Sequence, residues 1–150
     1  EAYGIEPYLV WAVMREESGF HTTVASYANA IGLMQLILPT ARSMGKRLKL
    51  KADPRTLRDP AVNVRLGARY LRLLLDRFHE PLLAIPGYNA GGGAIARWRR
   101  AHPGVSLDAF VESIGARETR RYARKVFKSY VAYRLLYGEG RDRWVRVRFR

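Results

Sequence analysis

The sequence predicts an all-α fold. Apolar residues recur at helical spacing through most of the 150 residues, and prolines and glycines fall where helices start and stop. Only Val145, Val147 and Phe149, alternating with Arg146, Arg148 and Arg150, follow the two-residue period of an extended chain. A chain of this length holds one domain around one core, and no repeat, low-complexity stretch or internal linker divides it.

The first helix runs from Pro7, suited to a first helical turn, to Glu17, with Leu9, Val10, Val13 and Met14 on its apolar face and Gly19 as its stop. His21 to Asn29 is small and polar, and reads as loop. Pro39-Thr40 opens a short second helix to about Met44, closed by Gly45, and the basic stretch Lys46 to Arg58, with Pro54, reads as a surface connection. Asp59-Pro60 pairs an N-cap with a first-turn proline and starts a helix carrying Leu66, Tyr70, Leu73, Leu74 and Phe78. Further helices are expected at Pro81 to Tyr88, at Ala94 to Ala101, and at Leu107 to Ile114 behind a Ser106 cap. Pro86 predicts a kink or an end in the first of these. The longest helix spans Arg117 to Tyr137, where Tyr122, Val126, Tyr130, Tyr133 and Tyr137 share one stripe and Gly138 ends it.

With 48% hydrophobic and 27% charged residues, the composition is neither that of a disordered chain nor that of a membrane-embedded one. No stretch approaches the roughly 20 apolar residues of a membrane span. Lys and Arg number 27 against 13 Asp and Glu, giving a net charge of +14 and an expected acidic partner. The imbalance is local. Residues 1–40 hold Arg15 as their only basic residue against Glu1, Glu6, Glu16 and Glu17. The absence of cysteine excludes a disulfide framework, cysteine-based metal sites and a cysteine nucleophile. A start at Glu1 without Met, and without a signal segment, is expected of a trimmed form or an excised domain.

One carboxylate is out of place. At 100° per residue from Leu9, Glu17 lies at about 80°, between Val13 at about 40° and Met14 at about 140°, whereas Glu16 and Arg15 point outward. A charged carboxylate on a buried face is costly, so it is paired or its pKa rises, and a raised pKa suits a general acid at neutral pH. The plainer alternative is that Glu17, beside Ser18 and Gly19, bends out to water at a frayed helix end. Residues 1–40 offer no obvious second acid. Glycosidases ordinarily use two carboxylates, so a lone Glu argues for a substrate that supplies the second group.

The residues after Glu17 carry a resemblance. Glu17-Ser18-Gly19-Phe20, Ser26, Ala30-Ile31-Gly32-Leu33-Met34-Gln35 and Thr40-Ala41 resemble the catalytic domain of the soluble lytic transglycosylases. So do Asp59-Pro60 with Asn63, Gly67, Tyr70 and Leu71, and Tyr88-Asn89-Ala90-Gly91 with Trp98. Phe110, Glu112, Ile114, Glu118-Thr119-Arg120 and Tyr122 continue the likeness, which covers about Ile5 to Tyr137.

The resemblance implies a lysozyme-like all-α fold with a substrate groove, a catalytic domain at residues 1–137 and a basic tail at 138–150. It implies cleavage of peptidoglycan between N-acetylmuramic acid and N-acetylglucosamine, with the muramic 6-hydroxyl closing on its own anomeric carbon to leave a 1,6-anhydro end. One residue then serves twice: Glu17 protonates the leaving oxygen and afterwards takes the hydroxyl proton. By the same resemblance Ser26, Met34, Gln35, Tyr88 and Glu118 bind substrate. Ser26 contacts the muramic substituents, Gln35 lines the sugar sites with Met34 as an apolar wall, Tyr88 approaches the acid, and Glu118 lies in the glycan groove. No metal, nucleotide or organic cofactor is called for. The partners implied are glycan strands and cell-wall proteins, and the location is the periplasm or cell envelope.

Local readings stand beside these roles. Ser26 also fits a loop cap, Met34 core packing, Tyr88 a helix-end aromatic, and Glu118 a partner for Arg121 or Tyr122. Ile37 stands where the family has a groove-packing methionine, and Gly115-Ala116 where it has a proline-aromatic pair. Rival functions are a goose-type muramidase, which needs a second carboxylate to activate water, and a non-catalytic peptidoglycan-binding module. A nucleic-acid binder rests on charge alone, since no helix-turn-helix, zinc or RNA-binding pattern accompanies it.

Overall fold

A computed structural model describes residues 3–139, so the extended tail expected at 145–149 lies outside the described residues. Seven α-helices make up the described fold: α1 (Pro7–Ser18), α2 (Leu38–Leu48), α3 (Pro60–Phe78), α4 (Pro81–Ala90), α5 (Gly92–Ala101), α6 (Leu107–Ser113) and α7 (Arg117–Tyr137). Among the described residues there is no strand, only isolated bridges joining Ala25 to Ile31 and Ile31 to Leu36. The all-α expectation holds. No described helix is long and apolar enough to cross a membrane.

The chain forms two compact units, Glu1–Arg72 and Leu73–Arg150, with the division falling inside α3. The core of the first holds Leu9, Ala12, Val13 and Met14 of α1, Ala41 and Met44 of α2, and Leu66 and Leu71 of α3, together with the loop residues Ile31, Met34 and Leu36. Pro7 stands in the first turn of α1, and Gly19 ends it with a left-handed backbone at φ 58°. The Asp59 cap is formed, its Oδ1 accepting the Val62 N–H at 2.9 Å.

The end of α2 corrects the sequence reading. Gly45 does not close the helix but lies within it, where a Cβ would meet the Leu50 carbonyl at 2.6 Å. The helix runs on to Leu48 and ends on Lys49 in the left-handed region at φ 54°. The connection that follows is also less superficial than expected: a single 3₁₀ turn, Thr56–Arg58, buries Leu57 completely.

In the second unit α4 packs against α5, α6 and α7. Pro86 neither ends nor divides α4, which continues to Ala90 with Leu83 through Tyr88 all buried. A proline inside a helix removes one backbone donor; here the surrounding burial offsets that loss, and Pro86 lines an apolar cavity of about 300 Å³ with Leu82, Ile85, Val111, Ala123 and Phe127. Ser106 precedes α6 without a side-chain cap bond, contrary to expectation. The stripe of α7 buries Tyr122, Val126 and Tyr130, and Gly138 follows its last residue.

Candidate active site

Glu17 is the penultimate residue of α1 and is half-buried, flanking the buried stripe of Leu9, Val13 and Met14. The helix does not fray there. Ser18, only 8% exposed, is its final residue, and the Ser18 hydroxyl approaches the Leu33 carbonyl at 2.8 Å and the Met14 carbonyl at 3.1 Å. The backbone that carries Glu17 is thereby bound to the loop at residues 24–36.

That loop is a small polar framework. The Ile31 and Leu36 backbones exchange two hydrogen bonds of 3.1 Å, and the Gly32 N–H donates to the Val24 carbonyl at 2.9 Å. Gly32 needs its missing side chain, since φ is +79° and a Cβ would lie 2.4 Å from Asn63 Nδ2. Gln35 adopts φ +45°, unusual for a residue other than glycine. Its Nε2 donates to the Val24 carbonyl at 3.1 Å and the Gly32 carbonyl at 2.9 Å. Both amide protons are thus engaged by the loop, and Oε1 is the atom by which Gln35 can accept a hydrogen bond from a ligand.

The other sequence-predicted residues divide. Ser26 is exposed, and its Oγ accepts the Ala30 N–H at 3.1 Å, as a loop cap does. Met34 corrects its expected role. Its side chain is fully buried, and a Cβ on Gly67 of α3 would lie 2.4 Å from the Met34 sulfur, so Met34 is core and forms no wall of a groove. Tyr88 and Glu118 belong to the second unit. Tyr88 is 8% exposed and lies in the last turn of α4. Glu118 is exposed in the first turn of α7, where a negative charge favours the helix N-terminus, and it has no ion-pair partner among the described residues. Beside these two, Thr119 Oγ1 donates to Asn89 Oδ1 at 2.7 Å and ties the last turn of α4 to the first of α7.

Asn63 was not singled out for a role by the sequence reading. It is fully buried in α3 and makes three hydrogen bonds. Its Nδ2 donates to the Ile31 carbonyl at 2.8 Å and the Leu57 carbonyl at 2.9 Å, and its Oδ1 accepts the Met34 N–H at 2.8 Å. The signal was present: Asn63 precedes Leu66 and Tyr70 at helical spacing, so it is a polar residue on an apolar face, as Glu17 is. Exposed aromatic and aliphatic side chains at Phe20, Tyr27 and Ile37 also lie on the stretch between α1 and α2, and sequence gave no account of their exposure.

Of the remaining described carboxylates of this unit, Glu6 is exposed at the opposite end of α1 from Glu17, and the other three have contacts of their own. Glu16 faces Arg15 at 3.9 Å. Asp53 accepts the Thr56 and Arg55 N–H groups and pairs with Lys51 at 3.0 Å, and the Thr56 N–H first, then Lys51, hold its carboxyl down at about 2. Asp59 caps α3. Among the described residues no group of three His, Asp or Glu side chains is placed to hold a metal ion.

Comparison with known proteins gives a concordant result. Residues 1–110 match the family model described as the transglycosylase SLT domain. The chain is 33% identical over 132 residues to the soluble lytic murein transglycosylase of Escherichia coli (strain K12), covering 85% of this chain and 20% of that protein. It is 38% identical over 155 residues to the membrane-bound lytic murein transglycosylase C of Haemophilus ducreyi, covering 87% of this chain and 42% of that one. Among solved structures, an inactive mutant of the lytic transglycosylase Slt from Pseudomonas aeruginosa superposes with a TM-score of 0.87 at 30% identity, covering 99% of this chain and 25% of that chain. The chain therefore spans less than half the length of these relatives.

Proposed function

The chain belongs to the transglycosylase SLT domain family, and from that premise we propose that residues 1–137 are a catalytic domain that cleaves peptidoglycan strands between N-acetylmuramic acid and N-acetylglucosamine, with Glu17 as the acid and then the base. The observation that carries this reading is the placement of one half-buried carboxylate, Glu17, on a helix end bound through Ser18 to the loop that presents Gln35. The other described carboxylates of the same unit stand or are engaged elsewhere: Glu6 precedes the opposite end of α1, Glu16 faces Arg15, and Asp53 and Asp59 are held in turns.

The chemistry follows from that inventory. Glu17 protonates the glycosidic oxygen as its bond to the muramic anomeric carbon breaks. The substrate's own N-acetyl oxygen stabilises the electron-poor carbon in place of a protein nucleophile. The Glu17 carboxylate then takes the proton of the muramic 6-hydroxyl as that oxygen bonds to the anomeric carbon, which closes the 1,6-anhydro ring and returns Glu17 to its acid form. Gln35 Oε1 accepts a sugar hydroxyl. Ser26 is proposed to contact the muramic substituents through its hydroxyl, and Tyr88 and Glu118, in the second unit, are each proposed to bind the strand.

Peptidoglycan carries carboxylates on its lactyl groups and peptides, so the +14 charge attracts the polymer without sequence-like readout. A substrate of this kind places the enzyme in the cell envelope. The test is Glu17→Gln, which keeps the shape of the side chain and removes its acid. Turnover is expected to fall at least about a hundredfold while binding to whole sacculi persists. Lysis undiminished in that variant contradicts the assignment, and a wild-type chain that binds sacculi without cleaving them supports a binding module instead.

A further inference from the structure

We propose that Asn63 is a positioning residue for the reaction: through the loop at residues 31–36 it sets where Gln35 and the Glu17 end of α1 stand relative to each other. The inference rests on Glu17 as the acid.

Asn63 is 0% exposed, and three of its hydrogen-bonding positions are used at 2.8 to 2.9 Å. Two of those bonds flank Gly32 and Leu33, one to the Ile31 carbonyl and one from the Met34 N–H. They therefore fix the peptide segment whose Leu33 carbonyl receives the Ser18 hydroxyl at 2.8 Å. Met34 is next to Gln35, whose left-handed backbone at φ +45° is a conformation that its surroundings must impose. The side chain of Gln35 then bonds back to Gly32, inside the same segment. One carboxamide thus stands behind both the loop that carries Gln35 and the loop contact that holds α1.

No other side chain meets the same demands. Two donors and one acceptor are needed at short reach. Asp has the shape without the donors, Leu the size without either, and Gln an extra methylene where a Cβ on Gly32 would already lie 2.4 Å from Nδ2. A buried polar group of this kind gains little stability over a well-packed apolar one. What it provides is direction, and a catalytic acid and a sugar-binding amide depend on direction more than on stability.

The test compares wild type with Asn63→Asp on a soluble glycan oligosaccharide, after circular dichroism and thermal denaturation have established that the variant is folded at the assay temperature. Lost orientation is expected to lower kcat by about 10- to 100-fold while KM changes by less than about threefold, because binding surfaces remain and only alignment is lost. A folded variant with wild-type kcat overturns the proposal. If Asn63→Asp does not fold, Ser18→Ala reads the same linkage from the other side: a folded Ser18→Ala with kcat lowered about tenfold supports it, and one with unchanged kcat overturns it. Wild-type turnover is measured first. An inactive wild type overturns the enzymatic reading and this inference with it, whereas an active wild type with indifferent variants overturns this inference alone.

Discussion

The Ser18 hydroxyl donates to the Leu33 carbonyl across 2.8 Å and so joins the final residue of α1 to a loop fifteen residues onward. A hydroxyl has one proton, and the 3.1 Å contact with the Met14 carbonyl is the longer of its two. Glu17 therefore projects from a helix end that is anchored to the loop.

Removal of that hydroxyl leaves the Leu33 carbonyl without its side-chain donor in a site that is 8% exposed at Ser18. Ser18→Ala is expected to lower unfolding free energy by about 1 to 2 kcal/mol. Urea denaturation measures it, and a change well under 0.5 kcal/mol, on the order of a surface substitution, counts against the contact.

Gly32→Ala should cost more than Gly19→Ala. Both glycines have positive φ, but a Cβ at Gly32 meets Asn63 Nδ2 at 2.4 Å and the Leu57 carbonyl at 2.7 Å, whereas at Gly19 the nearest atom is His21 Cδ2 at 3.7 Å. Backbone strain alone gives about 1 kcal/mol at Gly19, and strain with overpacking about 2 to 4 kcal/mol at Gly32. Thermal denaturation of the two variants side by side reads the difference.

Asp53 contributes stability that depends on acid pH. Backbone N–H donation from Thr56, then the Lys51 ammonium, lower its carboxyl from 3.8 to about 2. The folded value lies below the unfolded one, so the contribution is complete above 3.8 and fades as pH falls toward 2. The melting temperature of Asp53→Asn is expected to vary less with pH across that window than that of wild type. Parallel pH curves contradict the assignment.

Thr119→Val keeps the shape of a buried side chain and removes its 2.7 Å donation to Asn89. Because Asn89 is exposed and water can replace the lost donor, the expected cost is about 1 kcal/mol by urea denaturation.

Sequence pattern reveals what a single helix does and is blind to what comes near it. Leu9, Val13 and Met14 with Pro7 and Gly19 define α1, and Asp59-Pro60 defines the start of α3, because caps and stripes are local. Gly45 misleads because a glycine that ends a helix and one that admits a neighbouring carbonyl look alike in sequence; the Leu50 carbonyl decides between them. Lys49 as the left-handed terminus has no residue-type signal at all. Pro86 stays within α4 because burial on both sides outweighs a missing donor.

The site shows the same division. The half-buried position of Glu17 was legible from its angle on a helix. Met34 was not, since the sequence places it beside Gln35 without revealing that it turns inward against Gly67. Asn63 acts on carbonyls and amides up to 32 residues away, and its role emerges only when the loop is folded against α3.

The central claim is that one carboxylate and the substrate's own hydroxyl complete the reaction. Mass spectrometry of muropeptides released from peptidoglycan by the wild-type chain tests it most directly. The account predicts 1,6-anhydro-muramic ends, each one water lighter than the hydrolysis product. Reducing muramic ends as the main product contradict it and require a water-activating carboxylate that Glu6, Glu16, Asp53 and Asp59, in their present positions and contacts, do not supply.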